Sequence, residues 1–526
     1  MKVLVSDNLG EIGIQMFTDE DGIEVDVKTG LTPDEQKAII GDYDALVIRS
    51  ATKVTEDLLK EANQLKVIGR AGIGLDNVDI PAATKRGIVV MNTPGGNTVT
   101  TAEHAIAMMM ALTRNIPQGT SSLKDGRWDK KQLQGREVYS KTYGVIGFGN
   151  IGSIAAELAR GLKMRVIVHD PIVQPDTIEK AGFESVTLEE LYKQSDYITV
   201  HVPKIKQTTG LLDKSAFEKM KNGVMVINCA RGGIVNENDL YDTIKSGKVA
   251  GAALDVFENE PPGDHPLLGL DNVIATPHLG ASTREAQTNV AVAVADQIIK
   301  FLKEGTLINA VNAPSVTGEL LTRLGPFLKI ADRMGCLLAQ LVTGQFKEIS
   351  VEYAGDFHGL DLAPVTTELL KGLLTPSIAE GVNSVNAPIL AKEMGIKVTE
   401  TASAESSDYL NLITVKIVTT EMSSSISGTL FGRNDPRVVS IDDFRLEMVP
   451  EGYLALIHNL DKPGAIGSIG TILGESNINI ARMQVGQAKD GKRNIIFLRT
   501  DTPMPDEVVK KLNEIPLINS VIRLEL

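Results

Sequence analysis

Residues 143–153 read YGVIGFGNIGS. The apolar run from Tyr143 to Ile146 predicts a buried β-strand. Gly147, Gly149 and Gly152 follow it in the spacing G-x-G-x-x-G, and NIGSIAAELARGL then carries apolar residues at helical spacing. At such a strand-to-helix turn each glycine has a task. Gly147 makes the turn, Gly149 lets the backbone approach a pyrophosphate, and Gly152 lets helix and strand pack closely. Amides at the helix N-terminus then face the phosphates. The next apolar strand, MRVIVHD, ends in Asp170, 18 positions beyond Gly152. A carboxylate there accepts hydrogen bonds from the adenosine ribose hydroxyls and repels a 2′-phosphate. A lone G-x-G-x-x-G is a weak signal, but strand, turn, helix and acid in this order make NAD the expected cofactor.

The alternation continues on both sides. YITVHVP, GVMVINCA, AGAALDVF and NVIATPH bring the strands after Thr142 to six, separated by helix-length segments, which predicts a doubly wound parallel sheet. Upstream, KVLVS, IEVDV, ALVIRS, LKVIGR and GIVVMN predict a second parallel sheet. Between them TAEHAIAMMMALTRNI reads as a helix whose methionines pack in a core. A long helix, roughly residues 283–303, can return the chain to the first sheet, and INAVNAPSVTGE reads as a linker. Residues 316–448 mix helices, strands and a Ser-rich hairpin. The last 75 residues order as βαββαβ, a ferredoxin-like pattern. The expected fold class is α/β, two doubly wound parallel-sheet domains followed by two α+β domains. The expected division is 1–97 with 286–315 for the substrate, 98–285 for NAD, 316–448 intervening, and 449–526 last.

Composition narrows the function. At 526 residues several cores are needed. A formal net charge of −14 without a basic patch argues against nucleic-acid partners. Two cysteines, Cys229 and Cys336, fit a reducing compartment rather than a disulfide framework. MKVLVSDNLG reads as a first strand, not a signal peptide, and no apolar run approaches the about 18 residues of a membrane span. A cytoplasmic protein without a metal is expected.

Polar residues fall where strands of the second sheet should end, which is where open α/β sheets bind ligands. VMVINCARGG leads to Arg231, ALDVFENEPP to Asp255 and Glu260, and NVIATPHLG to His278. This inventory suits oxidation of an alcohol beside a carboxylate. Arg231 can grip the carboxylate or carbonyl, His278 can take the hydroxyl proton, and Glu260 can orient the imidazole and favour its protonated form. Cys229 has no base beside it in sequence and reads as a small buried residue near the cofactor. His201, in VHVP, reads as lining the nicotinamide crevice.

These residues carry a resemblance. GFGNIGSIAAELARGLKMRVIVHDP, INCARGGIVNENDL, AALDVFENEPP and TPHLGAST closely resemble the D-isomer-specific 2-hydroxyacid dehydrogenases. RSATKVT, GRAGIGLDNVDI and NTPGGNTVTTAEHA resemble the long branch of that family, with intervening and ACT regulatory domains, that oxidises 3-phospho-D-glycerate at the start of serine synthesis. The resemblance implies a triad of Arg231, Glu260 and His278. It implies NAD contacts at Asn150, Ile151, Asp170, Cys229, Ala230, Arg231, Asp255, His278, Leu279, Gly280 and Ala281. A substrate phosphate then needs donors opposite the nicotinamide: Arg49, Ser50 and Lys53, the amides of Gly72, Ile73 and Gly74, and Asn97. In the ACT-like tail Asn459, Asp461 and Asn479 stand where related modules hold an amino acid, so L-serine is the expected effector. Arg433 and Arg437 could bind an anion in the intervening domain. A homotetramer is the assembly the resemblance suggests. Two rivals share the fold: a glyoxylate or hydroxypyruvate reductase, and an NAD-sensing co-repressor-like protein. The structured tail argues against both.

Overall fold

The computed structural model describes residues 1–314, 318–357, 359–378, 381–404, 408–432, 434–488 and 493–526. Its first sheet holds β1 (Lys2–Val5), β2 (Glu24–Val27), β3 (Ala45–Ile48), β4 (Val67–Arg70) and β5 (Val89–Met91), parallel in the order β2-β1-β3-β4-β5. The second holds β6 (Thr142–Ile146), β7 (Arg165–His169), β8 (Glu184–Ser185), β9 (Tyr197–Val200), β10 (Val224–Asn228), β11 (Val249–Leu254) and β12 (Val273–Ala275). Its order is β12-β11-β10-β9-β6-β7-β8, again all parallel. Every residue of β3, β6, β9 and β10 is buried, as expected of strands covered by helices on both faces. The sequence pattern gave six strands here and the structure has seven. The extra one, β8, is two residues long, too short to carry a pattern.

Strand order reverses between β6 and β9, so the second sheet opens a crevice at their carboxyl ends. The helix Thr98–Thr113 lies on this sheet, with Met108 and Met109 buried in its core. The helix Arg284–Glu304 then leaves the second sheet and covers the first. Thr283 caps its start by accepting from the Ala286 amide, and Gly305, at φ 71°, ends it. It seats closely because small residues face it: a Cβ on Gly13 would lie 2.8 Å from the Ala291 carbonyl oxygen. Beyond it, Val311 N donates to Val90 O, and the Asn312 side chain bonds Val90 N and Ile88 O, tying the returning chain to β5.

The third sheet, in the order β14-β13-β15-β16-β17-β18, comprises β13 (Phe346–Gly355), β14 (Lys397–Ser403), β15 (Asn411–Thr419), β16 (Ser423–Phe431), β17 (Asp435–Ile441) and β18 (Phe444–Met448). The fourth, in the order β20-β21-β19-β22, is antiparallel and comprises β19 (Tyr453–Leu460), β20 (Ile480–Gln487), β21 (Arg493–Thr500) and β22 (Ile518–Glu525). With helices Ala465–Glu475 and Asp506–Asn513 this is the ferredoxin-like βαββαβ unit. Alternation splits its residues between two cores. Ala455 and Ile457 face its own helices, whereas Leu454, Leu456, Ile495, Phe497 and Leu524 are buried in one core with helix Gly318–Leu341 and the third sheet. Gln340 on that helix bonds both the amide and the carbonyl of Glu525. The third sheet's unit also leans on the first lobe: Asn383 donates to Gly87 O, and Val385 enters the first sheet's core.

Among the described residues no helix is long and apolar enough to cross a membrane. Replacing Gly13 with Ala should push the helix Arg284–Glu304 off the first sheet and destabilise it by about 1–3 kcal/mol. Urea denaturation followed by circular dichroism checks this, and an unchanged midpoint would show that the close approach matters little.

Candidate active site

The carboxyl ends of both parallel sheets face one cleft of ≈ 1280 Å³. On the second sheet's side, β6 runs into the glycine turn. Gly147 has φ +97°, and a Cβ there would meet the His201 carbonyl oxygen at 2.6 Å. A Cβ on Gly152 would overlap the Gly147 carbonyl oxygen, so the helix Asn150–Gly161 could not start where it does. Gly149 differs: a Cβ there meets nothing within 4 Å, and no side chain caps the helix. Open space over uncapped amides is what a pyrophosphate needs, so the turn fits a dinucleotide. Asp170 secures it, accepting from the amides of Phe148 at 2.7 Å, Ile172 at 2.8 Å and Val173 at 2.9 Å. Burial pushes this carboxyl up, but the three backbone donors outweigh it and hold it below the usual range.

His201 and Cys229 line the same wall. Burial drives the His201 imidazolium down to about 4, and its Nε2 lies 3.0 Å from Thr199 Oγ1. It is a neutral wall rather than a proton carrier. Burial also pushes the Cys229 thiol up, which removes it as a nucleophile.

The proposed triad converges from three strand ends. His278 Nδ1 lies 2.8 Å from Glu260 Oε2, with the pair 45% and 39% exposed at the cleft. His278 sits at φ 54°, left-handed for an L-residue, a strain on the order of 1–3 kcal/mol that the surroundings must hold. Asp255 holds it. Its backbone carbonyl accepts from His278 N at 2.9 Å, and its carboxylate accepts from Leu279 N at 2.7 Å and Gly280 N at 2.8 Å. Thr276 Oγ1 at 2.6 Å and His104 Nε2 at 3.2 Å complete the set. The resemblance implied an NAD contact for Asp255; it lines the cleft, but its carboxylate is spent on shaping the His278–Ala281 turn. His104 and Thr276 were not singled out from sequence.

Arg231 donates from Nε to Asp76 Oδ2 at 2.8 Å and from Nη1 to Ala230 O at 2.7 Å. Asp76 comes from the first sheet's lobe, so this ion pair spans the cleft. Gly74 makes room for it, since a Cβ there would overlap Arg231 Nη2.

On the first sheet's side, Arg49, Ser50, Lys53, Ile73, Gly74 and Asn97 line the cleft. The Asn97 Oδ1 is buried without a hydrogen-bond partner. Gly72 also lines it, but its amide donates to the Arg70 carbonyl at 2.9 Å and so is not free to cradle an anion. Its role is steric: at φ +151°, a Cβ would overlap Arg70 Nη1. Arg70 itself was missed. Burial and the neighbouring Arg231 charge bring its guanidinium down to about 10, and its Nε is buried without a partner. The available signal was a charged residue ending the buried strand Val67–Arg70.

The expected effector residues do not converge. Asn459 and Asn494 pair across β19 and β21. The Asn459 Nδ2 donates to Leu460 O, while the Oδ1 atoms of both asparagines are buried without partners. Asn479 precedes β20 at the other end of the sheet, where Ile480 pairs with Thr500 and Thr500 with Tyr453. Strand rise puts it roughly 20 Å from Asn459. Its side chain bonds Asp501 at 2.6 Å. The register of β19 and β20, unreadable from spacing alone, is the reason. Arg437 is paired with Asp435 and lies 3.5 Å from Glu447, so its charge is already met by acids. Arg433 lies outside the described residues.

Three family models match the chain. They are D-isomer specific 2-hydroxyacid dehydrogenase, NAD binding domain, over residues 106–280; D-3-phosphoglycerate dehydrogenase intervening domain, over 323–442; and ACT domain, over 453–517. The chain is 44% identical to a D-3-phosphoglycerate dehydrogenase of Archaeoglobus fulgidus, with 100% of both covered. It is 43% identical to one of Synechocystis sp., with 100% of this chain and 95% of the relative covered. The solved NAD-dependent formate dehydrogenase of Staphylococcus aureus in complex with NAD is 29% identical. It covers 60% of this chain and 100% of its own, with a TM-score of 0.54. Fold and cofactor turn are those of an NAD-dependent dehydrogenase of D-2-hydroxy acids. Within that class, the chain belongs to the D-3-phosphoglycerate dehydrogenase family.

Replacing Gly152 with Ala should displace the glycine turn and weaken NADH binding at least about tenfold, a loss of roughly 1.4 kcal/mol. Fluorescence titration with NADH measures it. Undiminished affinity would mean the turn can shift without loss.

Proposed function

We propose that the protein oxidises 3-phospho-D-glycerate to 3-phosphohydroxypyruvate at this cleft, reducing NAD, as the first step of L-serine biosynthesis. The observation that carries the reading is the pairing of two cationic ends in one cleft. Arg231 and His278 line the cleft from the second lobe, and Arg49, Lys53 and Arg70 line it from the first. A substrate with a carboxylate at one end and a phosphate at the other fits both.

The geometry supports the following roles. Arg231, with Nε and Nη1 already committed, offers Nη2 to the substrate carboxylate and the developing carbonyl. Glu260 fixes His278 through Nδ1, which leaves Nε2 to take the hydroxyl proton. The C2 hydrogen leaves as hydride. The turn Gly147–Gly152, with Asn150, Ile151 and Asp170, would hold NAD, which supplies the hydride acceptor when bound. Arg70, half-buried and with its buried Nε unpartnered, is the strongest donor for the phosphate, with half-buried Arg49 and exposed Lys53 beside it in the cleft.

L-serine is the proposed inhibitor. Two buried amide oxygens, of Asn459 and Asn494, stand near the start of helix Ala465–Glu475, and Asp461 lies on the loop between; together they suit an ammonium group. Because Asn479 lies at the far end of its own sheet, it could join such a site only from another copy. Exposed Ile116, Leu123, Trp128 and Tyr139, all within residues 116–139, provide apolar surface for association, in keeping with a cytoplasmic homotetramer.

The test is NADH formation with 3-phospho-D-glycerate, D-glycerate, D-lactate and D-2-hydroxyglutarate, each with and without millimolar serine. A rate confined to the phosphorylated acid supports the reading, and suppression by serine supports the effector. Preference for an unphosphorylated acid would refute the phosphate site, and NADH binding without turnover would favour a sensor. Arg70→Ala should raise KM for the phosphorylated acid by about 10- to 100-fold, the loss of one charge-assisted contact. His278→Ala should lower kcat by about 10²–10⁴ while NADH binding persists. Retained turnover in that variant would remove His278 as the base.

A further inference from the structure

Behind the triad, away from the cleft, lies a buried acid the chemistry does not use. Glu237 opens the helix Glu237–Lys245, and its side chain is 12% exposed. Its Oε1 accepts from the Glu258 amide at 2.6 Å, and its Oε2 lies 2.9 Å from His265 Nε2. His265 in turn accepts at Nδ1 from Leu267 N at 3.3 Å and packs on Phe257, ring centroids 5.6 Å apart. An amide N–H can only donate, so Nδ1 is the acceptor and Nε2 carries the proton. Neutral His265 therefore satisfies both contacts at once.

The segment they grip is the loop that carries Glu260. Phe257 N donates to Glu260 Oε1 at 3.2 Å, and Glu260 Oε2 meets His278. The same loop rests on the Arg231 turn, because a Cβ on Gly232 would overlap Phe257 O. Glu237 is thus one amide and two residues from the proton-transfer pair, without touching the cleft.

We propose that Glu237, backed by His265, is a positioning residue for catalysis: by holding the Glu258 amide it sets the loop from which Glu260 reaches His278. A helix-opening acid also interacts with the helix dipole wherever it sits. Such a purely structural contribution would act independently of Glu260, and that independence separates the two roles. The inference rests on the triad reading above.

The experiment is a double-mutant cycle in the full chain, with kcat, KM for 3-phospho-D-glycerate and NADH affinity measured for Glu237→Ala, Glu260→Gln and both together. Glu237→Ala is expected to lower kcat about 10- to 100-fold, the scale of a misplaced catalytic group. NADH affinity should stay within about twofold, and in the Glu260→Gln background the same substitution should cost less than about twofold. Glu237→Gln, which keeps an acceptor for the Glu258 amide, should recover part of the loss. If Glu237→Ala does not fold, His265→Asn carries the same cycle, since its Oδ1 still accepts from Leu267 N while the contact with Glu237 is lost. A full multiplicative effect in the Glu260→Gln background, or NADH affinity falling in step with kcat, overturns the proposal. A silent Glu237→Ala beside a damaging Glu260→Gln overturns it alone, whereas a silent Glu260→Gln overturns the triad reading as well.

Discussion

Asp255 is a carboxylate with no exposed side-chain surface, and much of the second lobe's active end depends on it. Burying a charge costs several kcal/mol unless donors replace the lost water. Here Thr276, His104 and the amides of Leu279 and Gly280 do so. Burial alone would raise its carboxyl, and the donors bring it below the usual range. A carboxyl lowered by folding stabilises the fold above its unfolded value and loses that contribution as acid protonates it. At neutral pH Asp255 is therefore charged and bonded. It fastens the end of β11 to the turn after β12 and keeps His278 in its left-handed conformation.

The opposite wall follows another electrostatic rule. The chain carries a net charge of −14, yet the cleft collects Arg49, Lys53, Arg70 and Arg231. Burial and then the Arg231 charge make Arg70 harder to protonate, and Asp76 offsets part of that repulsion. Acids line the cleft as well, Asp76, Asp79, Asp255, Glu258 and Glu260, so these cations would serve a bound anion through local contacts rather than through an excess of positive charge over the whole cleft.

Much of this was legible in the sequence because it depends on local order. G-x-G-x-x-G after a strand needs only neighbours to be read, and strand-end residues such as Arg231 and His278 follow from where apolar runs stop. What escaped depends on distant contacts. Arg70 looked like one letter of a glycine motif, and its isolation emerged only when Gly72 and Arg231 closed around it. Asp76 and His104 act on residues more than 150 positions away. The Gly72 amide was spent on its own turn, and Asn479 does not meet Asn459 within one chain because spacing does not give sheet register. Alternation along β19 indicated two faces, but could not say that one is covered by the preceding unit.

That covered face bears on how the C-terminal half responds as a material. Leu454, Leu456 and Phe497 belong to the same core as Leu337, Val351 and Ile413, so neither sheet can loosen without exposing the other. The two units should therefore open as one cooperative block rather than as separate beads. A ligand that binds only the folded form of the last sheet would then stabilise the block as a whole. Asn383 and Val385 in turn fasten that block to the lobe that carries Arg49 and Arg70.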